Sequence, residues 1–312
     1  MTDPLDAPDI IIQVDDLSKR YEDLRAVDGI TFAVERGEVF GILGPNGAGK
    51  TTTLECIEGL VEPTKGRTTV LGFDTQREPQ KVKQRIGVQL QASAYFDHLT
   101  LREILDLFGM FYDRRVDPIE LLEQVNLADR ADTTVNKLSG GQQQRFTIAA
   151  TLVNDPEVVF LDEPTTGLDP QARRSLWSFV QGINGAGRTV VLTTHYMEEA
   201  EYLCDRIAIM DQGRIVALDT PVNLVRSLPV PYQIKVGPEC LDAVDELRVL
   251  AAVKEAISED TGVRLLSADA SITVPALMEW ARASGRDFSH LEVVPSNLED
   301  VFLSITGHAL RE

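Results

Sequence analysis

Cysteine is scarce in this chain: three in 312 residues, Cys56, Cys204 and Cys240. The number is odd and no two stand at a metal-ligand spacing, so the sequence carries neither a disulfide framework nor a zinc motif. Each reads as a small buried apolar residue in a reducing compartment. Long apolar runs are missing as well. None approaches the roughly 18 residues that would cross a bilayer. The N-terminal MTDPLDAPDI lacks the basic n-region and the apolar h-region of a signal peptide, so no direct membrane insertion is expected. Positive charge is in short supply: 30 Lys and Arg face 49 Asp and Glu, a net charge of −19. That field repels nucleic acid and anionic lipid, and no nucleic-acid partner is expected. A phosphate ligand therefore has to be held by local geometry and a metal. Internal repeats and low-complexity tracts are also lacking.

What is present is an ordinary globular balance, 43% hydrophobic and 25% charged, enough for a large domain plus a small one. Residues 10 to about 72 read as short strands such as IIQVDDL, ITFAVE and EVFGIL, with a helix after a glycine loop. From about 92 to 155 the pattern turns helical. TLREILDLFGMFY places Leu101, Ile104, Leu105, Phe108 and Phe111 on one face, behind Thr100 and Glu103 at capping-box spacing. DPIELLEQV offers Asp117 as cap, Pro118 at the first helical position and Glu120 for a second capping box. EVVFLDE and TVVLTTH are short, β-branched and apolar throughout, as strands buried on both faces of a parallel sheet are. The expected body is α/β with a helical insertion. SLPVP breaks the pattern, which places a boundary after residue 228. Residues 229–312 then read as a small α+β domain: YQIKV, a helical stretch, VRLLS, SITV, ALMEWARASG, LEVV and a final helix. That helix has Ser296 and Glu299 at capping-box spacing, Gly307 as a stop, and a stripe of Leu298, Val301, Phe302 and Ile305. The stripe is expected to pack on its own small sheet rather than on a partner.

Two motifs carry most of the chemistry. GPNGAGKT, Gly44-Pro45-Asn46-Gly47-Ala48-Gly49-Lys50-Thr51, fits the phosphate-loop pattern, follows a strand and opens a helix through Thr52. Its glycines let backbone amides converge on a phosphate, Lys50 adds a point charge, and the Thr51 hydroxyl suits magnesium. VVFLDEP ends four apolar residues in two adjacent carboxylates, Asp162 and Glu163, which is costly at the mouth of a buried strand unless something compensates. The carboxyl ends of parallel strands are where α/β sheets place ligands. Asp162 is then the residue that serves magnesium, directly or through another ligand, and Glu163 the one that orients or deprotonates an attacking water. His195 ends TVVLTTH at the same sheet edge and gains a candidate role from that company. Gln91 gains weight from standing where sheet gives way to helical insertion; its competitor Gln89 is expected to point into a sheet face. LSGGQQQR, residues 138–145, is the odd stretch. Ser139 and Gln142 could form a simple capping box, but Gly140 and Gly141 cost about 1 kcal/mol each in a helix. A bare, positive helix start suits close approach of a phosphate, and its place in the insertion suggests a nucleotide belonging to another subunit.

The ordered set GPNGAGKT, Gln91, LSGGQQQR, VVFLDEP, GLDP and His195 resembles the ATP-binding subunits of ABC transporters across essentially the whole first domain. The resemblance implies a P-loop ATPase with a parallel sheet core, an antiparallel β subdomain and a helical insertion, using ATP and Mg2+. It implies a head-to-tail dimer, a homodimer by expectation, with each ATP between one subunit's phosphate loop and the other's signature helix. By the same resemblance Tyr21 stacks on adenine and Gln91 contacts magnesium and the attacking water. Asp169 of GLDP bridges the subunits, and His195 contacts the γ-phosphate. The tail NLEDVFLSITG, with VEPTKGRTTVLGFD and LQASAYFDHLTLREIL, is similar to the ABC-2 exporter branch, particularly daunorubicin-resistance-type drug exporters. That implies a separate integral membrane permease and a place at the inner face of the cell membrane. An importer ATPase, an ABC ATPase acting on DNA or the ribosome, and a small-molecule kinase are the rivals. The acidity and the single cassette speak against the second, and the signature motif against the third.

Overall fold

A strand order that breaks away from chain order defines the larger of two compact units, residues 1–220, in a computed structural model that describes residues 9–89 and 95–307. The first sheet is antiparallel and ordered β2-β1-β4-β5, from β1 (Ile10–Tyr21), β2 (Leu24–Glu35), β4 (Lys65–Val70) and β5 (Phe73–Asp74). The second runs β10-β9-β3-β8-β7-β6, from β3 (Val39–Leu43), β6 (Ile86–Gln89), β7 (Val158–Asp162), β8 (Thr189–Thr194), β9 (Arg206–Asp211) and β10 (Arg214–Asp219). All its pairings are parallel except β9 with β10. Every residue of β3, β7 and β8 is buried, which explains their uniformly apolar sequences. Phe40, Ile42, Leu54, Phe160 and Val191 join residues of the antiparallel sheet in one core. That core holds rigid the carboxyl ends of β3, β7 and β8, where the chemistry-bearing residues stand.

Helices close the unit. α1 (Lys50–Ile57) follows β3 directly, and α2 (Pro79–Lys83) precedes β6. The insertion holds α3 (Leu101–Gly109), α4 (Pro118–Gln124) and α5 (Gly140–Ala150); α6 (Pro170–Gly185) and α7 (Met197–Leu203) flank β8. Thr100 and Glu103 form the expected capping box on α3. Its buried face is Leu101, Ile104 and Leu105; α3 ends at Gly109, so Phe111 falls outside the stripe and is 68% exposed. Asp117 caps α4 by accepting from the Ile119 and Glu120 amides. Gln91 lies outside the described residues, whereas Gln89 is buried in β6 with Oε1 unpartnered.

The second unit, residues 221–310, begins at α8 (Pro221–Arg226), eight residues before the boundary read from SLPVP. An antiparallel sheet ordered β12-β13-β11-β14 is made by β11 (Tyr232–Val236), β12 (Val253–Glu259), β13 (Gly262–Ser267) and β14 (Leu291–Pro295). Between them lie α9 (Val244–Arg248) and α10 (Ala270–Ser284), and α11 (Leu298–Thr306) follows β14. SITV, expected among the strands, is the first turn of α10, because Asp269 caps the Ser271 amide and hydroxyl. α11 is capped by Asn297 with Asp300, one residue later than Ser296 with Glu299. Leu298, Val301 and Phe302 are buried, and α11 packs on α8; Ile305 is exposed.

Candidate functional site

The sharp turn out of β3 sets the site's geometry. A Cβ on Gly44 would meet the Met210 carbonyl oxygen at 2.2 Å, and Gly49, at φ +103°, would meet that of Ala26 at 2.3 Å. Only glycine lets the loop pass between these backbones and still turn into α1. The first helical bond of α1 runs from the Thr53 amide to the Gly49 carbonyl. The amides of Lys50, Thr51 and Thr52 therefore have no helical acceptor, and they stand at the positive end of the helix. Asn46 and Gly47 at the loop's tip are exposed.

Lys50 is 4% exposed, and a buried ammonium must be compensated. Its Nζ donates to the carbonyls of Gly44 (2.9 Å) and Pro45 (3.1 Å) and lies 3.2 Å from Glu163 Oε1. Glu163 Oε2 accepts from the Thr166 hydroxyl at 3.1 Å and lies 3.2 Å from His195 Nδ1. That nitrogen is near the carboxylate but not in hydrogen-bond alignment with it. Burial pushes the Glu163 carboxyl up, while Lys50 and then His195 pull it down, leaving it net below the ordinary carboxylate value. Its backbone is left-handed, φ +48°, a strain of order 1–3 kcal/mol for a non-glycine residue. Thr193 fixes that turn: the Glu163 amide donates to its carbonyl (3.2 Å) and its hydroxyl (3.0 Å).

Asp162, paired across the sheet with Thr193, accepts from the Thr193 hydroxyl and from the Thr51 hydroxyl, the latter at 3.0 Å to Oδ2. Among the described residues no group of three or more His, Cys, Asp or Glu could hold a metal ion. One carboxylate and one hydroxyl side by side suit a magnesium ion that takes its remaining ligands from phosphate and water. Tyr21 ends β1 as a 43% exposed residue, with the Lys19 ammonium 4.9 Å from its ring centre; Thr52 is in hydrogen-bond reach of its hydroxyl. An accessible aromatic face beside the helix start is chemically suited to a stacked base.

The LSGG segment belongs to the insertion. Ser139 caps α5 and makes a reciprocal capping box with Gln142. The cap alone does not account for Gly140, where a Cβ would meet nothing within 4 Å. Gly141 has a local reason, since its Cβ would stand 3.2 Å from Ala172 of α6. Ser139 and Gly140 are exposed. Asp169 is also exposed and caps α6 within its own chain, accepting from the Gln171 and Ala172 amides. The structure thus brings Lys50, Thr51, Asp162, Glu163 and His195 into one cluster, with Ser139–Gln142 and Asp169 on separate exposed helix starts. Two residues of this neighbourhood escape sequence reading. Thr193 donates to the Asp162 carboxylate and accepts from the Glu163 amide, and its only signal is a threonine one place from the end of an apolar strand. Gln144 of α5 donates to the Pro164 carbonyl at 2.6 Å, tying the signature helix to the segment after Glu163.

Residues 27–166 match the family described as ABC transporter, and the chain belongs to that family as one of its ATP-hydrolysing, ATP-binding subunits. It is 40% identical over 313 residues to the daunorubicin resistance ATP-binding protein DrrA3 of Streptomyces coeruleorubidus, covering 96% of each chain. With the Nod factor export ATP-binding protein I of Burkholderia lata it shares 39% identity over 302 residues, 95% of this chain and 97% of that one. Among solved structures it resembles a dimeric bacterial ABC transporter cassette, MJ0796, with TM-score 0.61 and 28% identity over 67% of this chain and 98% of that one. Among the described residues no helix is long and apolar enough to cross a membrane.

Proposed function

We propose that this chain is the ATPase subunit of an exporter, energising a separate membrane permease from the inner face of the cell membrane. The observation that carries the reading is the buried cluster of Lys50, Glu163 and His195 beside Thr51 and Asp162. The direction of transport is supported by the names of its relatives, a drug-resistance protein and a Nod-factor export protein. One name prints resistance and the other export, and a drug or other hydrophobic compound is the proposed cargo class.

In the proposed mechanism the phosphates of ATP lie on the amides of Lys50, Thr51 and Thr52, with the adenine on Tyr21. Lys50 is shared between Glu163 and two loop carbonyls. A triphosphate competes for that ammonium, and its gain is Glu163's release. Freed from Lys50, whose charge holds it down, the buried carboxylate becomes more basic and better able to accept a proton from water. Thr193 holds its backbone turned toward the reacting centre, and His195 stands ready on the γ-phosphate side. Thr51, Asp162 and Gln91 are the residues that would hold magnesium, which when bound supplies Lewis-acid neutralisation of phosphate charge. The exposed start of α5, with open space over Gly140, is assigned to the ATP of a second copy, and Asp169 to the seam between copies. Closure of that dimer on ATP is a population shift, limited by how much better the closed state binds the nucleotide.

The test is a pull-down of tagged Glu163→Gln protein with ATP and magnesium from detergent-solubilised native membranes. Recovery of a stoichiometric, multi-spanning membrane protein is expected. Recovery of soluble partners, ribosomes or nucleic acid alone would overturn transport while leaving the ATPase chemistry standing.

A further inference from the structure

His195 stands beside Glu163 without being fixed through its own ring: Nδ1 is buried and has no aligned hydrogen-bond partner among the described residues. The turn that carries it is held against α6 by two contacts. The Arg173 guanidinium stacks over the Tyr196 ring at 4.1 Å, and the Trp177 Nε1–H donates to Glu199 Oε1 at 2.9 Å. Arg173 and Trp177 stand four apart on one face of α6, while Tyr196 and Glu199 stand three apart at the start of α7. Two contacts at that spacing fix the turn against rotation as well as translation. Tyr202 stacks on Trp177 with ring centres 5.0 Å apart, which steadies the donor.

Glu199 is the costly partner in this clamp. It is fully buried in the first turn of α7 and takes no part in the proposed chemistry. The hydroxyls of Thr194, the residue before His195, and of Thr165, two after Glu163, lie beside it, yet Oε2 has no aligned hydrogen-bond partner. Burial pushes the carboxyl above its ordinary value, against the pull of those hydroxyls, the Trp177 N–H and the Arg173 charge. An apolar side chain would fill the same space without the cost of desolvating an acid. What the acid adds is an acceptor that joins α6 to the His195 turn. We propose that Glu199 is a positioning residue for hydrolysis: its bond to Trp177 locks the turn carrying His195 to α6, the helix that Asp169 caps, and so sets the imidazole against Glu163. The part of His195 in hydrolysis rests on the reading above; the lock itself does not.

The test uses the full-length chain, whose four histidines allow the His195 imidazole NMR signal to be assigned by its loss in His195→Ala. Trp177→Phe keeps a ring and removes the donor. The expected result is a displaced His195 signal with the other three unmoved, kcat lower by about tenfold or more, and an unchanged ATP dissociation constant. Glu199→Leu should do the same, whereas Glu199→Gln, which keeps an acceptor for Trp177, should restore both signal and rate. Should Glu199→Leu fail to fold, Trp177→Phe and Glu199→Gln decide. An unmoved His195 signal in Trp177→Phe, a lower melting temperature with kcat unchanged, or a displaced signal in Glu199→Gln would overturn the proposal. If the signal moves as expected while His195→Ala hydrolyses ATP at the wild-type rate, the lock stands and the part of His195 in hydrolysis falls.

Discussion

Glu163 holds a left-handed backbone, a buried carboxylate and a shared ammonium at once, and each of these costs free energy in a resting protein. Replacing it with glutamine keeps the shape and removes the proton acceptor. Glu163→Gln is expected to bind ATP no more weakly than wild type, because Lys50 loses a competitor, while hydrolysis falls about 10²-fold or more. Single-turnover kinetics read both, and wild-type turnover in the variant would remove Glu163 from the chemistry. Glu58 has the opposite electrostatics. Its folded carboxyl titrates at about 8 against an ordinary value of 4.5, so the folded state holds this proton more tightly than the unfolded one. The stability it lends is complete below the unfolded value and is lost as pH rises through the folded one. Glu58→Gln has no proton to lose, so its melting temperature should gain on wild type progressively between about pH 5 and 8.5. Parallel pH profiles would show that Glu58 does not titrate this way. Of these two residues only Glu163 was readable beforehand, because it stands in an ordered motif. Glu58 in CIEGL is a single acid after an apolar pair, and only packing shows that it is buried.

Helix α5 has a capped start and, in the proposed dimer, a second use. The box of Ser139 and Gln142 starts the helix, while Gly140 meets no atom of its own chain. Ser139→Arg fills the space over that start with a long cation. ATP binding to the monomer is expected to be nearly intact and hydrolysis abolished; fluorescence titration and phosphate release measure the two. Loss of monomer binding would mean that α5 serves its own nucleotide. The strands of the first unit were readable because burial on both faces leaves a continuous apolar run. The second unit was harder to read. β12 is an edge strand with only Ala256 buried, so its alternation is faint and its sequence reads as part of a helical stretch. SITV has strand-forming residues, yet the Asp269 cap commits it to helix. At α11 two overlapping capping patterns compete one residue apart, and Asn297, whose side chain takes both the Glu299 and Asp300 amides, prevails.

At the scale of the whole molecule, the charge of −19 acts against the proposed assembly. Two copies repel, so ATP has to overcome that repulsion, and salt that screens it should help. In the Glu163→Gln protein with ATP, light scattering should show more dimer at about 0.5 M salt than at 0.05 M. Dissociation by salt would point instead to an interface held by ion pairs. The proposal of a site shared between copies starts, in the sequence, from an unexplained glycine at a helix start.

The deciding measurement is a disulfide-trapping experiment between two versions of the Glu163→Gln chain, one carrying Asn46→Cys in the phosphate loop and the other Ser139→Cys at the start of α5. Both positions are exposed, and the three native cysteines are buried, so background coupling is low. A cross-linked pair that requires both cysteines, ATP and magnesium is the expected result. A link that forms without ATP, fails to form with it, or closes within a single doubly substituted chain would contradict a nucleotide shared between two copies.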